Sequence, residues 1–192
     1  MLTHIRHSEK VFIMNRLLLI IILTFSFQTL TKADDIRDFE IEGMSIGDSA
    51  LDYFSKSEIK KKKRNWYQGK KYSTSEIGNL QISYKTKDYK YILVSIDKTK
   101  PMDITQCLEE MPLVVDEIAE VFSDEVRLKG PERIKHWADK SKKSWYDQYE
   151  FKFPNKDSIV VECYNWSKNV TWLDHLRVRI VSKEFFNFLS NE

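Results

Sequence analysis

The sequence predicts an α+β fold, an antiparallel sheet packed by one long kinked helix and by shorter helices. Three observations predict it. Residues 103–122 place Ile104, Cys107, Leu108, Met111, Val114, Val115, Ile118, Ala119 and Phe122 at steps of three and four, the face of one helix. Other segments alternate with period two, as Leu80, Ile82 and Tyr84 do, and again Leu176, Val178 and Ile180. Short turn sequences, Thr86-Lys87-Asp88 and Pro154-Asn155-Lys156-Asp157, link such segments, which implies antiparallel neighbours.

The chain has 192 residues, 42% hydrophobic and 31% charged, the composition of a globular protein with a sizeable core. Residues 14–33 have the pattern of a secretory signal peptide. Arg16 supplies the positive end, residues 17–27 are a mostly apolar run, and Thr31 and Ala33 bracket a cleavage site. The run is shorter than the ~20 residues of a membrane span, and an uncleaved anchor is the alternative reading. Residues 1–13 then belong to a mis-called start ahead of Met14 or to a long n-region. Removing residues 1–33 takes away Arg6, Lys10, Arg16 and Lys32 against Glu9 alone. That turns 31 basic and 29 acidic residues into 27 and 28, a formal charge of −1. A nucleic-acid partner is not suggested by that balance.

The remaining elements follow in order. Residues 34–42 are acidic and extended. Ser45-Ile46-Gly47-Asp48 opens a short helix with Ile46, Ala50, Leu51 and Phe54 on one face, and the run Lys60 to Arg64 is a solvated charge cluster. Residues 66–73 add a strand ahead of the hairpin formed by 80–85 and 89–96. Asp103 caps the long helix with Gln106 three residues on, and Pro112 inside it removes a donor at a cost of ~3 kcal/mol in a straight helix. The apolar phase continues through Pro112, so a kink is expected there. Residues 129–143 read as a polar loop. Strands follow at 145–153, 158–166 and 173–181, and Ser182 caps a last helix carrying Phe185, Phe188 and Leu189. Residues 34–192 thus form one α+β domain. The order helix-then-strands recurs in 44–97 and 103–192 without a residue-level repeat, which leaves two similar subdomains as the alternative.

Cys107 and Cys163 both survive removal of the leader and both fall on inward-facing positions. In an oxidising compartment a disulfide is the simplest outcome; two buried free thiols are the alternative.

Two stretches carry a resemblance. DFEIEGMSIGDSALDYF (residues 38–54), and VECYNWS (161–167) followed by DHLRVRIVSKEFFNFL (174–189), resemble uncharacterised secreted proteins of small-genome marine bacteria. That resemblance implies no activity. Gly43-Met44-Ser45-Ile46-Gly47-Asp48 also looks like the beta-lactamase-inhibitor-protein-like modules of envelope proteins, which implies a helical piece on an antiparallel sheet and binding of other proteins.

No catalytic set assembles from spacing. Ser57-Glu58-Ile59-Lys60 has the serine–lysine spacing of penicillin-recognising enzymes but lacks their partner motifs. After the leader only His136 and His175 remain, without metal-ligand spacing, so neither a metal nor a cofactor is expected. The aromatic residues offer more. Tyr164 and Trp166 point away from Cys163, and Trp172 lies in the polar loop that follows. Those three are the candidate contact for a ligand or partner, as an aromatic shelf, with burial under the last helix as the alternative. The expected function is an exported envelope protein, periplasmic or secreted, that binds another protein or a small ligand or glycan without catalysis. A periplasmic hydrolase with carboxylates converging in space is the rival.

Overall fold

A computed structural model describes residues 33–64 and 71–190. The leader expected over 1–33, apart from Ala33, lies outside the described residues, as does most of the strand expected over 66–73. Eight strands form one antiparallel sheet: β1 Lys63–Arg64, β2 Tyr72–Ile77, β3 Leu80–Lys85, β4 Leu93–Pro101, β5 Arg127–Lys135, β6 Trp145–Lys152, β7 Ser158–Asn165 and β8 His175–Val181. Among the described residues three α-helices accompany them, α1 Lys56–Lys61, α2 Ile104–Val121 and α3 Lys183–Ser190. The sheet order is β1-β2-β3-β4-β8-β7-β6-β5, so a helix followed by four strands occurs twice and the two runs meet at the β4–β8 pair. The fold is mixed α+β and mostly sheet.

One face of the sheet is the core. Register aligns Ile82 with Ile96, Ile96 with Ile180, Ile159 with Ile180 and Phe151 with Ile159, all buried. Helix α2 lays Cys107, Met111, Val115 and Ile118 on that face, while Pro112 and Leu113 stay exposed. Burying each such side chain is worth roughly 1.5–3 kcal/mol. Asp103 caps the helix by accepting from the Thr105 and Gln106 amides. Cys107 and Cys163 stand at disulfide distance, 5.8 Å between Cα atoms, and tie α2 to β7.

Two local expectations are corrected. Residues 45–54 hold only a 3₁₀ turn, Ala50–Asp52, capped by Ser49. The α-helix starts later, where Ser55 and Glu58 form a reciprocal capping box that Gly47 and its positive φ could not support. The lysine run is exposed, as expected of a solvated charge cluster, and is divided between the end of α1 and β1. The expected polar loop 129–143 holds most of β5. That strand is an exposed edge, so it needs no alternation, and its Gly130-Pro131 sits where the register with β6 slips at a bulge.

Candidate functional site

The other face of the sheet buries a smaller apolar cluster, Tyr72, Val94, Val160 and Val181 with Phe185 of α3, and beyond it a group of charged side chains. The same register that sends Ile96, Ile180 and Val161 inward sends Asp97, Arg179, Arg177 and Glu162 to the opposite side, with Asp97 opposite Arg179 and Glu162 opposite Arg177. Asp97 and Glu162 are buried, at 2% and 3% exposure. Arg179 donates to Asp97 at 2.9 Å and Arg177 Nε donates to Glu162 at 2.6 Å. Ser95 and Gln81 also donate to Asp97. Two guanidiniums and two carboxylates cancel, which is what lets four charges be buried together. Burial alone would raise the Glu162 carboxyl. The charges of Arg177 and Arg179 outweigh it and hold Glu162 below its usual range.

Aromatic rings extend this network to the end of the sheet where β7 leaves and β8 enters. Tyr164 is the centre. Its ring stacks on His175 at 4.6 Å, Tyr146 at 5.0 Å and Trp166 at 5.5 Å, and the Arg177 guanidinium lies 4.6 Å from its centroid. Its hydroxyl, a partner of Arg177, is pushed far above the usual phenol range by burial and by the Glu162 charge. Trp166 passes the stack outward, 4.3 Å from His136 and edge-on to Trp172 at 4.6 Å. His136 stacks on Trp137 in turn. Exposure rises along this series, from 4% at Tyr164 through half-buried Trp166 to 54% at Trp172 and 89% at Trp137.

Asp139 holds the outer rings in place. Its carboxylate is buried and accepts from the Ser141 amide and hydroxyl, the Ser144 amide and hydroxyl, and the Ser167 hydroxyl, all at 2.7–2.9 Å. Loop 136–144, with His136 and Trp137, is thereby fastened to the loop that carries Trp166 and Trp172. The Ser167 amide donates to Ser144 Oγ, and the Trp166 amide donates to Asp174. The Ser144 hydroxyl, then Ser141, hold the Asp139 carboxyl well below its usual range.

Both histidines are neutral devices here. The Ala138 amide donates to His136 Nδ1, so its proton sits on Nε2; His175 Nδ1 faces the Leu173 carbonyl and carries its own. Burial, with the Arg177 charge added, lowers both. Below the unfolded value of about 6.5 the unfolded chain takes up protons that the folded chain refuses. Stability is therefore complete above that pH and declines as pH falls from 6.5 toward the lowered folded values. Urea unfolding across this window checks it: the decline should shrink in His136→Gln/His175→Gln, and an unchanged slope in that variant would refute it.

Of the shelf residues, the structure brings Tyr164, Trp166 and Trp172 together, with Tyr164 beneath and Trp172 outermost. Sequence reading missed Trp137, His136, Asp139 and the arginine–carboxylate pairs. The signals were present: Arg177 and Arg179 alternate with Leu176, Val178 and Ile180, and Asp139 is followed by Ser141 and Ser144. A shallow groove of ≈220 Å³ lined by Ile46, Lys85, Asp157 and Glu184 lies at the other end of these strands. Among the described residues no group of three His, Cys, Asp or Glu is placed to hold a metal. No protein-family model, curated protein or solved structure matches the chain.

Proposed function

We propose that this chain is an exported, non-enzymatic binding module of the cell envelope, and that it docks through the aromatic end of its sheet. The observation that carries the reading is the Asp139 clamp. A buried carboxylate fully occupied in fixing two loops presents Trp137 and Trp172 outward in one arrangement before any partner arrives. Pre-ordered aromatic side chains lose little entropy on contact, the property of interface anchors. Support for export comes from the apolar run at 17–27 and from the cysteine pair, which suits an oxidising compartment.

The hydrolase reading has one observation behind it, since Asp97 and Glu162 do converge around Arg177. A carboxylate acid catalyst needs a raised pKa, and that of Glu162 is lowered. The binding reading is therefore preferred.

Alanine at Trp137 or at Trp172 is the test. Melting should stay within about 0.5 kcal/mol of the parent for these exposed side chains. Capture of an envelope component should weaken by about 2 kcal/mol or more if they are anchors. Capture that survives both substitutions would reject this surface.

A further inference from the structure

The two loops that hold the outer tryptophans are also lopsided in charge. Lys140, Lys142 and Lys143 in one, and Lys168 in the other, are exposed. The acidic residues of the two loops, 136–144 and 166–174, are Asp139, buried and occupied by three serines, and Asp174, half-buried and accepting from the Trp166 amide. The Ser167 amide donates to Ser144 Oγ, which joins the two loops at the residues next to Lys168 and Lys143. The same two loops carry Trp137, Trp172 and Leu173, the last 73% exposed. Trp166 Nε1, just inside, is a buried donor with no hydrogen-bond partner among the described residues.

We propose that this end of the sheet rests on an anionic lipid surface, with Trp137, Trp172 and Leu173 entering the headgroup layer and Lys140, Lys142, Lys143 and Lys168 meeting its phosphates. The inference rests on the docking surface proposed above and names its partner. Indoles favour the boundary between hydrocarbon and water, because the ring is apolar and its N–H is not. Lysine stems lie along apolar surface while the ammonium reaches the phosphate. The charge complementarity is to an anion, and the apolar residues are exposed in the same two loops, as entry into a lipid layer requires. Held by Asp139, the loops need no ordering on contact. The attachment is peripheral, since no described helix is long and apolar enough to cross a membrane.

The test uses the full chain with vesicles of phosphatidylglycerol or of phosphatidylcholine, each brominated near the headgroup to quench indole emission. Residues 1–33 contain no tryptophan, so emission reports the folded part even where the leader itself partitions. Quenching is expected on phosphatidylglycerol, little on phosphatidylcholine, and W137F/W172F should lose most of it. The variant K140S/K142S/K143S/K168S should partition more weakly by roughly fivefold per lysine removed. About 0.5 M salt should have a similar effect, by screening. Equal quenching on the two lipids, or full quenching in W137F/W172F, overturns the proposal. So does absence of vesicle binding combined with capture of a defined protein that Trp137→Ala and Trp172→Ala abolish, an outcome that keeps the docking surface and removes the lipid. Vesicle binding and protein capture both indifferent to these tryptophans would remove both.

Discussion

Glutamine in place of Glu162 is expected to destabilise the fold by about 3–5 kcal/mol, because it strips the carboxylate from a guanidinium that stays buried. Arg177 sits between Glu162 and Asp97 with its Nε committed to Glu162, and it has little water to turn to. The companion variant removes both charges. Glu162→Leu/Arg177→Met should lose much less than Glu162→Gln alone, since two apolar side chains leave no orphaned charge. Urea unfolding at neutral pH measures both. A loss under about 1 kcal/mol in Glu162→Gln would mean that the pair behaves as a solvated surface bridge.

Opening the Cys107–Cys163 link should cost a comparable amount. The two residues are 56 apart in sequence, and closing a loop of that length removes about 4 kcal/mol of unfolded-state entropy in the chain-entropy description. Cys107→Ala/Cys163→Ala should therefore melt well below the parent, and reductant should bring the parent down to the variant. A parent indifferent to reductant would show that the link contributes nothing.

The legible parts of this chain were those where one physical signal acted alone. Helix α2 was readable because Cys107, Met111, Val115 and Ile118 keep helical phase and Asp103 caps them. Strands β3, β7 and β8 were readable because one face of each packs on that helix or its neighbours. Strand β5 was not: an exposed edge carries no alternation, and Gly130-Pro131 at its bulge reads as a loop. The site was half legible for a related reason. Direction along a strand sends Tyr164 and Trp166 to the same face, and alternation gives that. What alternation cannot give is whether the polar face is open to water. Arg177 and Arg179 look like solvent-facing residues until Asp97, 82 positions away from Arg179, arrives opposite. Asp139 was hidden likewise, because its third serine, Ser167, belongs to a different loop.

The place of β8 in the sheet governs the order in which the molecule can assemble. It is the last of the described strands in sequence, yet it lies in the middle, between β4 and β7. The first four strands can pair as they are made, but β4 keeps a bare edge until residues 175–181 arrive. Closing the seam joins Asp97 to Arg179 across most of the second half of the chain, a contact of long sequence separation and hence a slow one. A nascent or threading chain of this sequence therefore stays incompletely folded until residues 175–181 have emerged. Any shortening from the C-terminal side that reaches β8 removes the joint between two half-sheets, whereas β1 taken alone is a two-residue margin of the sheet.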